Sequence, residues 1–244
     1  MAEFDTIRTG SSAGAVQIDQ GLRAHMNKVY GTMSIGMLLT FAVAWSVGTN
    51  GTLLAIFRNP DLSPNILGWV IMFAPLIMVF AFGAAINKLS AAAAQLFFYT
   101  FACIMGLSIA WIFVAFNLAS IAQVFLITSI AFAGLSLWGY TTKKDISGWG
   151  SFLIMGVIGL VIASIINLFI FSDAIMFVIS VLGVLIFAGL TAYDTQNIKN
   201  TYLQAATGGN QEWLNKATII GALSLYINFI NMFMMLLHLF GNRE

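Results

Sequence analysis

Charge is what this sequence has least of. Of its 244 residues only 8% are Asp, Glu, Lys or Arg, whereas soluble domains carry about 25%. Ten cationic and nine acidic side chains cannot coat a water-soluble protein of this length. A net charge of +1 supplies no basic field for nucleic acid. The single cysteine, Cys103, excludes an intramolecular disulfide and a cysteine-based metal cluster. There is no Gly-rich phosphate loop, no GxSxG elbow and no clustered His/Cys/carboxylate motif, so no cofactor is expected. The first 28 residues are polar and mixed in charge. They contain no basic-then-apolar opening and no small-residue cleavage site, which predicts a short cytoplasmic tail rather than a cleavable signal peptide.

Apolar length is what the chain has instead, with 60% of residues hydrophobic. Runs bounded by charge or turn signals fall at about 30–48, 66–86, 92–116, 121–140, 151–171, 174–193 and 217–240. The expectation is an all-α membrane protein with seven transmembrane helices, residues 29–244, preceded by the tail 1–28. Only "NLAS" separates the third run from the fourth, and "FSD" the fifth from the sixth. At about 1.5 Å per residue, fusing either pair would overshoot a hydrocarbon core of about 30 Å, so tight hairpins are predicted.

Positive charge sets the expected orientation. With the N-terminus inside, the cytoplasmic segments hold Arg8, Arg23, Lys28, Lys88, Lys143, Lys144, Lys199 and Lys216, and the opposite side only Arg58 and Arg243. The N-terminus is therefore expected in the cytoplasm and the C-terminus outside. Gly156, Gly159, Gly183, Gly189 and the alanines at 91–94 offer small surfaces for close helix packing, although glycine is common in membrane helices in any case. Pro75 is expected to kink the second span.

Polar groups inside a membrane are costly and therefore informative. In the last span Ser224, Asn228 and Asn231 are spaced four and three apart, which places them on one helix face. Interhelical hydrogen bonding and a conducting or sensing surface are both open readings of that stripe. Asn167 reads as packing glue, His238 as an interfacial residue, and the 12 methionines as flexible packing. Lys143, Lys144 and Asp145 read as a turn that anchors topology. Asp194, in "TAYDTQNIKN", is harder to place. At a helix C-terminus a carboxylate meets the negative pole of the dipole. If the helix continues through Asn200, the same carboxylate lies inside it facing other spans and needs donors. A solvated boundary residue balanced by Lys199 and a group that handles ions or protons are the two readings.

At these residues the chain resembles the Bax inhibitor-1 family, and within it the bacterial YccA-like branch. The resemblance runs from about Met26 to Arg243 through "MNKVYGTMSIGMLLTFAVAW", "GYTTKKDIS", "GLTAYDTQNIK" and "GALSLYINFINMFMMLLHLFGN". It implies seven helices with the last one central, a multi-pass protein of the bacterial inner membrane, a pH-sensitive calcium leak and, for bacterial relatives, modulation of an FtsH-type membrane protease. The family assigns gating to two aspartates. One maps onto Asp194 and the other onto Asn228, because this chain reads "LYINFIN" where the family reads a pattern like "LYLDFIN". A family arginine that latches the pair has no counterpart between Leu67 and Asn87.

Two close carboxylates cannot both ionise cheaply, so such a pair retains a proton and titrates as a unit. An amide removes the like-charge repulsion and can donate to an ionised Asp194. Calcium prefers several oxygens and gains from charge, so a carboxylate with an amide makes a weak, transient contact at Asp194. The leading expectation is therefore a monomeric calcium leak with weakened or altered pH gating, using Asp194, Asn228, Asn231 and Ser224. The alternative is a regulator or partner of the protease without significant flux, gripped by its tail. An enzyme is not expected, since His25 and His238 fall at opposite ends of the chain and on opposite membrane faces.

Overall fold

The structure, a computed structural model, describes residues 2–61, 63–206 and 211–243. The side chains of residues 2–17, Arg8 and most of the expected tail among them, lie outside the described ones. Nine helices and no strand are formed among the described residues: α1 (Ala2–Gly48), α2 (Gly51–Leu54), α3 (Ile66–Ala85), α4 (Ala91–Ile109), α5 (Ile112–Ala115), α6 (Leu118–Thr141), α7 (Trp149–Ile170), α8 (Asp173–Ala206) and α9 (Gln211–Phe240). Seven stretches are long and apolar enough to cross a membrane, with α5 continuing the α4 span.

Helix starts are set by small polar side chains. Asn65 accepts from Gly68 N–H at 2.9 Å, Ser90 from Ala93 at 3.2 Å and Asn117 from Ala119 at 2.9 Å, each satisfying an amide that the first helical turn leaves free. Both short connections are hairpins, as expected. The α5–α6 hairpin turns at Phe116 and Asn117 and is tied to the end of α9, with Asn117 N–H on the Asn242 carbonyl at 3.1 Å and Asn242 N–H on Ser120 Oγ at 3.0 Å. The α7–α8 hairpin turns through Phe171, whose φ of 54° is left-handed. Asn167 makes that turn by accepting from Ser172 N–H at 3.0 Å. It is a turn builder within its own hairpin, not interhelical glue.

Three span boundaries differ from hydropathy. Helix α1 is already helical well ahead of residue 30, and Leu22, Met26 and Val29 on it are buried in the core. Helix α8 continues well past residue 193, and α9 is helical ahead of residue 217. Some polar residues of these extensions bond other elements, as Lys28 does Asn215 at 2.9 Å and Lys199 the Tyr140 carbonyl at 2.8 Å. Helix α3 is continuous through the buried Pro75.

Helix α9 packs against α8, α1, α6 and α4, while α3 leans on α4 and α7 on α8. Two thirds of the most apolar window of α9 is buried, against 11% for α3 and α7, whose outer faces are left for lipid. Since lipid is as apolar as leucine, contact quality rather than burial holds such a bundle together. Backbones come closest where a side chain is missing. A Cβ on Gly139 of α6 would fall 2.9 Å from the Ala192 Cα of α8, and one on Gly106 of α4 would fall 2.6 Å from the Thr40 carbonyl of α1. Of the expected glycines, Gly156, Gly183 and Gly189 meet side chains of a facing helix, whereas Gly159 faces open space.

One buried polar cluster joins three helices at the centre of the bundle. Thr40 Oγ lies 2.5 Å from the Tyr226 hydroxyl, 2.9 Å from the Ala102 carbonyl and 3.0 Å from the Gly36 carbonyl. A hydroxyl has one proton, so Tyr226 donates to Thr40, and Thr40 shares its own proton between the two carbonyls. Tyr226, fully buried, is also met edge-on by Phe98 and Phe101, which joins α1, α4 and α9.

A buried carboxylate and amide between two helices

Four consecutive residues of α8 face four different neighbours, because each step along a helix turns the side chain by about 100°. The Tyr193 ring lies against Gly150 of α7. Asp194 faces α9, and Asn228 donates to its Oδ2 at 2.7 Å. Thr195 is fully buried, bonding the Thr191 carbonyl at 2.7 Å and reaching Ser136 Oγ of α6 at 3.4 Å. Gln196 accepts from Ile146 N–H at 3.0 Å and donates to the Lys144 carbonyl at 2.8 Å, pinning the α6–α7 turn. The motif is thus a four-way junction, and its polarity is used up in contacts with other elements.

Asp194 lies about three turns short of Ala206, so it is well inside α8 rather than at its end. The expected balancing cation is elsewhere, since Lys199 donates to the Tyr140 carbonyl at 2.8 Å with its ammonium 5.3 Å from the Tyr140 ring. Among the described residues no cation forms a salt bridge with Asp194; the bridge that does form is the exposed Arg23–Asp19 pair at 3.0 Å. A partly buried carboxylate without a cation needs a neutral donor, and Asn228, only 4% exposed, supplies it.

The other two residues of the expected stripe do not join this bond. Asn231 turns back to the Ile227 carbonyl of its own helix at 2.8 Å, and Ser224 is half-buried. The two histidines are far apart, His25 on α1 beside the start of α9 and His238 near the end of α9. His25 packs on Tyr202 and reaches Thr218 Oγ at 3.3 Å, and His238 reaches the Met234 carbonyl at 2.7 Å beside Trp111 and Phe116. Among the described residues no three His, Cys, Asp or Glu side chains gather as a metal cage. Asp194 and Asn228 offer two oxygen-bearing side chains, fewer than the six to eight oxygens a resident calcium takes. Tyr226, Thr195 and Gln196 were not singled out from sequence. The signal for the last two was present in a polar run, "YDTQN", inside a helix long enough to span.

A helical bundle with an apolar exterior and a carboxylate–amide pair between two closely packed spans is a multi-pass membrane protein. Comparison with known proteins supplies the family. The family described as inhibitor of apoptosis-promoting Bax1 matches residues 22–244, and the chain belongs to it, the Bax inhibitor-1 family. It is 42% identical over 234 residues to the inner membrane protein YbhL of Escherichia coli (strain K12), covering 96% of this chain and 97% of that one. An uncharacterized protein of Caulobacter vibrioides is 44% identical over 234 residues, covering 94% and 93%. Another, RP147 of Rickettsia prowazekii, is 38% identical over 227 residues, covering 93% and 92%. The protein is a multi-pass inner membrane protein.

Proposed function

We propose that the protein is a non-enzymatic ion leak in which Asp194 and Asn228 form the constriction and calcium is the permeant ion. The observation that carries this reading is the 2.7 Å bond from Asn228 to Asp194, a carboxylate held between α8 and α9 by an amide. A neutral donor offsets part of the desolvation of the carboxylate. Such a group attracts a cation without the full cage that would trap it. Because the amide does not titrate, the pH response of this pair is weaker than that of two carboxylates. The orientation that fits the lysine distribution places the N-terminus in the cytoplasm and the C-terminus outside. The protein acts as a monomer.

Purified protein in calcium-loaded vesicles tests this directly. Wild type leaks calcium, and Asp194→Ala changes the rate, since a charge inside the membrane marks an ion pathway. No flux at any pH would remove the channel reading. The alternative, a regulator of an FtsH-type protease without flux, draws on the start of the first span, where Ile18, Asp19 and Gln20 are exposed. Deleting residues 2–20 abolishes protease co-purification on that reading and leaves it unchanged on the other.

A further inference from the structure

Two cavities lie near the C-terminal end of α6. The first is a groove of about 600 Å³ between α1 and α6, with Arg23, Met26 and Tyr30 on one side and Phe132, Ala133 and Leu137 on the other. The second, about 490 Å³, lies at the end of α6 and is lined by Lys143, Lys144 and Lys199 together with Thr142 and Asn200. Tyr140 lines the groove and Lys199 lines the basic cavity. Their contact, the Lys199 ammonium on the Tyr140 carbonyl at 2.8 Å, makes the two spaces neighbours.

The groove lies between two spans, and the outer face of α6 beside it is apolar and exposed, with Leu126 at 60%, Ile130 at 66% and Leu137 at 64%. Its occupant is therefore drawn from the bilayer. The basic cavity is not neutralised by its one acid. Asp145 accepts from Ser147 N–H at 2.9 Å, and that bond and one from the Ser147 hydroxyl hold its carboxyl below the usual carboxylate range. At the mouth of the groove Asp19 is taken up by Arg23. Lys143 and Lys144 are exposed, and basic pockets beside the ends of membrane helices bind anionic headgroups.

We propose that α1, α6 and the α6–α7 turn form a binding site for an anionic phospholipid, its phosphate between Lys143, Lys144 and Lys199 and one acyl chain along the α1–α6 groove. The site is separate from the Asp194–Asn228 pair and does not depend on ion flux. Native mass spectrometry of the full-length protein after incubation with phosphatidylglycerol or phosphatidylcholine tests it. Phosphatidylglycerol is retained about tenfold more than phosphatidylcholine, since each lysine near a lipid surface contributes measurably to binding anionic lipid. Lys143→Gln with Lys144→Gln removes that preference, and Lys143→Arg with Lys144→Arg keeps it. Ala133→Trp, which fills the groove with every lysine intact, also lowers phosphatidylglycerol retention, and excess glycerol phosphate leaves the lipid bound. Equal retention of the two lipids by wild type would overturn the site. So would a glutamine pair or an Ala133→Trp variant that binds as wild type does, or full displacement by glycerol phosphate, which would mark a phosphate site without a lipid groove.

Discussion

Asn228 of α9 donates to Asp194 of α8 at 2.7 Å, and this bond links the two helices that share the largest interface of the bundle. Among the described residues no cation forms a salt bridge with this half-buried carboxylate, and the amide donates to it. The function proposed here and the stability of the bundle meet at the same contact.

Replacing Asn228 by leucine leaves the Asp194 carboxylate without its donor. The expected cost is about 2–3 kcal/mol of stability, the penalty for an unpaired buried charge. Asp194→Asn in the same background recovers most of the loss, because a neutral side chain is cheaper to bury. Thermal unfolding in detergent, followed by helical circular dichroism, reads both steps. A leucine variant as stable as wild type would show that the bond is structurally idle.

The Thr40–Tyr226 contact joins α1 to α9 in the most buried part of the bundle. Tyr226→Phe and Thr40→Val, each alone, cost about 1 kcal/mol, as measured hydrogen bonds in membranes do. The double variant costs less than the sum, because both remove one bond. Additive losses would place the stabilisation in the surrounding aromatic packing instead.

Phe171 adopts a left-handed conformation at φ 54° in the α7–α8 hairpin and is 84% exposed. A side chain in that region costs energy that glycine does not. Phe171→Gly therefore stabilises the hairpin by about 0.5–1 kcal/mol, read as a rise in unfolding temperature. A fall would mean that the ring contributes more than its backbone costs.

Much of the fold was legible because the membrane leaves few alternatives. Seven runs long enough to span predict seven helices, and "NLAS" and "FSD" are hairpins where they were expected. Hydropathy could not show that α1 and α8 outrun their apolar segments, since the polar residues there are satisfied by contacts distant in sequence. Gln196 is the plainest case, its side chain bonding the backbone of residues 144 and 146 on the far side of a turn. The pairing of Asp194 with Asn228 was readable from motif resemblance. The separation of Asn231 and Ser224 from that pair was not, because helical spacing gives a shared face but not which member finds a partner. The reading that balances Asp194 with Lys199 rests on proximity in sequence, yet five residues along a helix turn the lysine toward Tyr140. Composition marks Gly139 and Gly159 alike, and only the facing helix distinguishes them.

The central claim is that the Asp194–Asn228 pair is the constriction and that its amide sets a shallow pH response. Calcium efflux from vesicles, measured across a pH series for wild type and Asn228→Asp, tests it most directly. The aspartate creates two close carboxylates that share a proton and titrate together, so the variant's efflux rises or falls several-fold across a narrow pH interval while wild type changes little. Equal pH profiles for the two proteins, with flux present in both, would contradict the account.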